Sequence, residues 1–272
     1  MFKKRDLYKL RNWTAYSVRK ARRIITISQS TKDDIIKKYQ IEAGRIAVVY
    51  PGIKLNENLK MKNEELKFQI SNLKKKYGVE EDYILYVGTL QPRKNLVRLI
   101  EAFISVNSRQ QTVNGKKKLK LVIAGKKGWM YEEIFKKVKE LNLEKEVVFT
   151  GYVPDEELPI LYKGAKCFAL VSLYEGFGFP VLEAMSMGVP VVCSNSSSLP
   201  EVAGEAAILV DPKNVEDIKG GIEKILGMSD EEIERLRSQG IKQASKFTWE
   251  KTARQTLEIL EEVGKKLVIN NE

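Results

Sequence analysis

The sequence predicts an α/β fold built on a doubly wound parallel sheet. Three observations predict it. Short apolar runs of strand length recur from residue 83 to residue 210, stretches with helical spacing lie between them, and glycines follow several of the runs. The runs are nearly continuous in apolar character, as strands are when helices cover both faces of a parallel sheet.

Each element follows in chain order. Residues 1–22 are basic and weakly amphipathic and read as helix. Residues 23–28 read as a short buried strand. A helix is expected over 31–39, with Ser30 or Thr31 as its N-cap. Residues 46–50 read as a second strand, closed by the Pro51-Gly52 turn. This opening strand–helix–strand fragment is too small to own a core. Residues 53–80 are polar and rich in lysine and read as a connecting helix on the surface. Strands are then expected at 83–87, 119–124, 147–150, 167–172, 190–194 and 207–210. Leu96, Leu99, Ile100 and Phe103 mark one face of the helix after the first of them. The tail reads as three helices: one from near Asn214, one over 229–246 and one over 248–265. The expected organisation is a remnant of a second α/β domain with its hinge over 1–52, a connector over 53–80, and one large domain with C-terminal helices over 81–272.

Composition bounds the function. The 272 residues are 43 % apolar and 31 % charged, within the range of ordinary globular chains. The formal net charge of +11 suits an anionic partner: a phosphorylated ligand, lipid head groups or nucleic acid. Scattered lysines on solvated faces explain the same number. A nucleic-acid partner is not expected, because the basic and aromatic residues do not cluster into a platform. The two cysteines, Cys167 and Cys193, each sit in an apolar run, which points to buried thiols and a reducing compartment. No apolar run approaches the roughly 18 residues of a membrane span. A cytoplasmic protein is expected, with contact at the inner membrane surface left open. There is no histidine, so any chemistry relies on carboxylates, cations, backbone dipoles or the substrate.

In a doubly wound sheet ligands sit beyond the carboxyl ends of the strands. Five loops there are candidates. The first runs from Tyr174 through Glu175-Gly176-Phe177-Gly178-Phe179-Pro180 to Leu182, Glu183 and Ala184. Gly176 and Gly178 permit close backbone approach, Pro180 suits a first helical turn, and the exposed amides of that helix start suit a diphosphate. Glu183, two turns on, is expected beside Glu175, both accepting from sugar hydroxyls. The second loop is Gly88-Thr89-Leu90-Gln91-Pro92-Arg93-Lys94-Asn95, with Asn95 as the expected N-cap. Arg93 and Lys94 oppose the dipole of the helix they precede, which a bound diphosphate would explain. In the third loop, Gly125 and Lys126 either line the cleft or form a plain turn. In the fourth, Tyr152 or Val153 flanks a nucleobase, or Tyr152 is an aromatic at the edge of the core. In the fifth, Ser196, Ser197 and Ser198 either meet phosphate or cap the following helix.

These residues resemble the GT-B glycosyltransferases, enzymes of two Rossmann-like domains, of the group 1 or family 4 retaining type. Glu175 and Glu183, with Gly-Phe-Gly-Phe-Pro between them and Glu-Ala-Met-Ser-Met-Gly-Val-Pro-Val-Val continuing the segment, match that family's paired-glutamate signature. The segment from Gly88 to Leu96 is similar to its donor-phosphate loop in mannosyl- and rhamnosyl-type members. The resemblance implies transfer of a hexose from a nucleotide-diphosphate sugar, such as a GDP- or UDP-hexose, to a glycan or lipid-linked acceptor with retention. It implies that Glu175 contacts the transferred sugar, Glu183 the ribose, and Arg93 and Lys94 the diphosphate. Gly88, Lys126, Val153, Gly176, Phe177, Gly178 and Leu182 complete the donor set. No metal or other cofactor is implied. Many members carry Arg at the position of Thr89, and Arg93 is the candidate to replace that charge here. A full member also carries an N-terminal domain as large as the C-terminal one, of which only about the last 50 residues are expected here. The alternative is therefore a donor-binding module, inactive without a further domain or partner subunit.

Overall fold

A computed structural model describes residues 4–54, 63–114 and 119–269. The chain divides into two compact units, residues 1–54 with 246–272, and residues 55–245.

The first unit opens with helix α1 (Lys4–Lys20), strand β1 (Ile24–Thr26), helix α2 (Gln29–Tyr39) and strand β2 (Ile46–Val48). β1 and β2 pair in parallel. The N-cap of α2 is Ser28, not Ser30 or Thr31: its backbone is extended, and its hydroxyl accepts from the Thr31 amide at 3.1 Å. The fragment does own a small core, since Val18, Ile41 and Ile46 are buried against Ile24, Ile35, Ile36 and Tyr39. Helix α11 (Trp249–Ile269) also belongs to this unit, not to the large domain that its place in the sequence suggested. The physical reason is a set of local ties. Ile53 donates its amide to the Phe247 carbonyl, and the Thr252 hydroxyl donates to the Tyr50 carbonyl at 2.8 Å. The rings of Tyr50 and Phe247 meet edge to face at 5.7 Å.

The second unit holds strands β3 (Tyr83–Val87), β4 (Lys120–Ala124), β5 (Val147–Gly151), β6 (Cys167–Leu170), β7 (Val191–Ser194) and β8 (Ile208–Val210). Every neighbouring pair is parallel, and the order across the sheet is β5-β4-β3-β6-β7-β8. This is the doubly wound arrangement. The chain runs outward from β3 to β5, then returns to the other side of β3 and runs outward again. The order reverses between β3 and β6, where such sheets leave a crevice beyond the strand ends.

Helices α4 (Leu96–Asn114), α5 (Glu132–Glu140), α6 (Leu158–Lys163), α7 (Phe179–Ser186), α8 (Leu199–Ala203), α9 (Val215–Leu226) and α10 (Asp230–Ala244) accompany the strands. α4 packs on α9, and α7 packs on α10. Leu85, Val122, Phe168 and Val192 from the sheet are fully buried, as are Leu99, Ile100 and Phe103 of α4, the face marked by helical spacing. Each such side chain contributes about 1.5–3 kcal/mol by leaving water. The Asn214 side chain caps α9, and Ser229 with Glu232 forms a capping box on α10. Helix α3 (Asn63–Tyr77) stands where a surface connector was expected. It instead belongs to the second unit and packs on α6, with Leu73 and Val79 buried and the Tyr77 hydroxyl donating to Glu157 at 2.7 Å. Residues 55–62 of the expected connector lie outside the described residues.

Candidate functional site

The two loops beside the switch point are joined to each other. The loop after β3 ends in a tight turn, Pro92–Lys94, followed by Asn95 in the left-handed region at φ 59. Asn95 is not an N-cap by its side chain. Its Nδ2 donates to the carbonyls of Val171 and Pro212, while its Oδ1 accepts from Arg98. It thus ties the start of α4 to the end of β6. The Leu173 amide also donates to the Arg93 carbonyl at 2.8 Å.

Across this junction sits a charge cluster. Lys94 Nζ lies 2.5 Å from Glu175 Oε1, and Arg93 Nη1 lies 2.8 Å from Glu175 Oε2 and 2.9 Å from the Tyr174 carbonyl. Ser172 donates its hydroxyl to Glu175 Oε1 at 2.7 Å. The cations that opposed the α4 dipole in sequence are therefore half balanced by Glu175, which leaves the cluster one positive charge. Only Arg93 keeps a substantial exposed side chain, 42 %, against 9 % for Lys94 and 8 % for Glu175. Burial pushes the Glu175 carboxyl up, but the Lys94 charge and the bonds from Lys94, Ser172 and Arg93 outweigh it and hold the group below its ordinary range. Burial draws the Lys94 ammonium down, and Glu175 only partly offsets that. The Tyr86 phenol, beneath the cluster, is raised by burial and by the Glu175 charge.

The turn that carries Glu175 ends at Gly178, whose φ of 118 favours glycine, and α7 starts behind it with Pro180 in its first turn. A Cβ on Gly178 would lie 2.6 Å from Leu199 Cδ2. Glu183 follows inside α7 and faces a different partner, accepting from the Tyr162 hydroxyl at 2.9 Å. Burial raises its carboxyl; the Tyr162 bond offsets part of this, and the charge of Asp155 adds to it. The two glutamates do not share a hydrogen-bond partner, although the sequence suggested one shared role.

The other candidates fall at distinct places. Gly88 donates its amide to the Ala124 carbonyl, and a Cβ on Gly125 would lie 2.0 Å from the Gly88 carbonyl oxygen, so the turns after β3 and β4 touch backbone to backbone. Lys126 is exposed, with its ammonium 4.4 Å from the Tyr152 ring centroid. Tyr152 is 58 % exposed and so is no core-edge aromatic, whereas Val153 is buried. Gly176 is half-buried. The Phe177 side chain is buried against Phe179, with ring centroids 5.0 Å apart. The Leu182 side chain is fully buried in the core, which does not fit a side-chain contact with a ligand. The serines after β7 do not cap α8. Ser197 Oγ accepts from the Glu175 amide, and Ser198 Oγ donates toward the carbonyls of Glu175 and Phe177. Sequence reasoning missed Ser172 and gave Ser198 only as a phosphate contact or a cap, since no spacing rule links either to Glu175. Cys167 and Cys193 are free thiols, both pushed up to about 12 by burial. Among the described residues no group of three or more Cys, Asp or Glu side chains is placed to hold a metal ion, and no helix is long and apolar enough to cross a membrane.

The sequence profile of the Glycosyl transferases group 1 family matches residues 67–244, and that of Glycosyltransferase Family 4 matches residues 1–57. The chain belongs to the group 1 glycosyl transferases. This group 1 glycosyl transferase is 36 % identical over 241 residues to O-antigen chain mannosyltransferase B of Escherichia coli, an alignment that covers 89 % of this chain and 61 % of that protein. It is 29 % identical over 247 residues to the mannosylfructose-phosphate synthase of Agrobacterium fabrum, covering 88 % and 52 %. Among solved structures, Anabaena HepE in complex with UDP and glucose superposes with a TM-score of 0.77 at 23 % identity, covering 90 % of this chain and 64 % of that one. The chain thus spans about three fifths of the length of the first of these relatives. The parallel sheet of the second unit with its flanking helices is the Rossmann-like fold of GT-B proteins.

Proposed function

We propose that this group 1 glycosyl transferase binds a nucleoside-diphosphate sugar beyond β3 and β6 and transfers its hexose, of mannose type, to a glycan or lipid-linked acceptor with retention of configuration. The observation that carries the reading is the meeting of Arg93, Lys94 and Glu175 at the switch point, in front of the Gly178 start of α7. Among relatives, the 36 % identity to O-antigen chain mannosyltransferase B supports it.

In this reading Arg93, the exposed cation of the cluster, turns to the diphosphate, and the amides of Phe177 and Gly178 add hydrogen bonds at the α7 start. Lys94 stays in the interior, keeps Glu175 ionised and adds to the positive potential around the leaving phosphate. Glu175 accepts from hydroxyls of the transferred sugar, and Glu183 from the ribose. Val153 borders the base, with Lys126 and Gly88 beside the phosphates. The cations and helix amides supply the positive charge that a metal ion supplies elsewhere, and the departing phosphate accepts the acceptor's proton.

A thermal-shift panel of GDP-mannose, UDP-glucose and ADP-glucose tests donor binding, since a bound donor stabilises the fold by mass action. A rise with one donor that persists in a chelator is expected; no rise with any would overturn the reading. Proton NMR of the anomeric centre in the product tests retention. A second reading is a donor-binding module that needs a further domain or subunit for transfer. That reading gives donor binding without turnover.

A further inference from the structure

The carboxylate of Glu175 has three donors, and they are of two kinds. Arg93 and Lys94 are cations borne on another loop. An arriving anion competes with Glu175 for the exposed Arg93, while the buried Lys94 stays on the carboxylate. Ser172 is neutral and sits three residues before Glu175 in the same loop, just after β6, fully buried. Its position is fixed from behind, because the Ser194 hydroxyl donates to the Ser172 carbonyl at 2.7 Å. The main chain of the turn is held by a second hydroxyl. Ser198, also fully buried, places Oγ 2.9 Å from the Glu175 carbonyl oxygen and 2.7 Å from that of Phe177, so a single proton is shared between the two ends of the turn.

We propose that Ser172 and Ser198 are positioning residues for the donor site: Ser172 fixes the Glu175 carboxylate, and Ser198 fixes the backbone turn that carries it. The proposal rests on the donor reading and deepens it. When Arg93 faces a diphosphate, Glu175 Oε1 keeps Lys94 and Ser172, and Ser172 is the neutral donor that holds it from its own loop. The carboxylate then keeps a fixed place opposite the sugar. Ser198 acts one step earlier, since the amides of Phe177 and Gly178 move with the turn it bridges.

The two serines therefore separate in one experiment. GDP and GDP-mannose, and UDP and UDP-glucose, are titrated by calorimetry into wild type, Ser172→Ala and Ser198→Ala, with unfolding midpoints recorded as a folding control. In Ser172→Ala the nucleoside diphosphate should bind within about twofold of wild type, while the extra affinity given by the sugar falls about ten- to a hundredfold, the effect of one hydrogen bond to a charged group. The turnover number should fall with little change in KM. In Ser198→Ala both the diphosphate and the sugar nucleotide should bind more weakly. Wild-type binding with a Ser172→Ala that loses both ligands equally, or neither, overturns the positioning role and leaves the donor reading standing. Wild-type protein that binds none of the four nucleotides overturns both.

Discussion

Glu175 and Glu183 stand eight positions apart in sequence and live in opposite electrostatic surroundings. Around the turn after β6, the Glu175 carboxylate is buried with two cations and a hydroxyl. Just over one turn into α7, the Glu183 carboxylate meets one phenol and the added repulsion of Asp155. The first charge is compensated by the fold itself. The second is compensated by one hydrogen bond alone. The difference teaches that two carboxylates of one motif can differ in charge state: one is held ionised by the protein, and the other is costly to keep ionised.

The sharpest way to break this comparison is to remove the compensated charge. Glu175→Ala strands Lys94 in the interior, and stability should fall by about 3–5 kcal/mol in urea unfolding. A loss under about 1 kcal/mol would show that the cluster is solvated. Next comes the pH dependence, where the two sites should differ in sign. The Glu175 carboxyl is lowered on folding, so its contribution is present above its ordinary value of 4.5 and is lost as pH falls further. Glu175→Gln should therefore narrow its stability gap to wild type below about pH 4.5. The Glu183 carboxyl is raised, so burying its charge costs stability at neutral pH and not in acid. Glu183→Gln should be more stable than wild type at pH 7, by about 1 kcal/mol, with the advantage vanishing in acid. The same variant should bind nucleotide more weakly, and unchanged affinity in calorimetry would remove Glu183 from the donor site. The smallest stability effect is expected for Arg93→Ala, under about 1 kcal/mol, because its side chain is 42 % exposed and its pair is partly screened by water. Its loss should still weaken diphosphate binding, and the salt dependence of binding should flatten.

Much of the fold was legible in the sequence. The six strands of the large sheet fall within two residues of the expected apolar runs, because a fully covered strand must be apolar along its whole length. The starts of α9 and α10 were readable from Asn214 and Ser229, since capping depends on neighbours in the chain. Contacts between distant segments were not. Asn95 looked like a cap and proved to be a tie to residues 76 and 117 positions away. Ser196 to Ser198 looked like a cap or a phosphate contact, and two of them brace the Glu175 turn. The helix over 249–269 follows the large domain in sequence but joins the first unit through Tyr50 and Ile53.

The sequence by itself determined the element types, the parallel sheet, and the two loops that carry Glu175, Arg93 and Lys94. These follow from periodicity, glycine placement and local capping, which act over a few residues. Only the tertiary structure decided that those three side chains form one ion cluster, that Arg93 alone of the two cations faces solvent to this extent, and that Glu183 is left with a phenol. Charge pairing and desolvation depend on distance in space, and the strand order that brings residues 93 and 175 together is a property of the whole sheet.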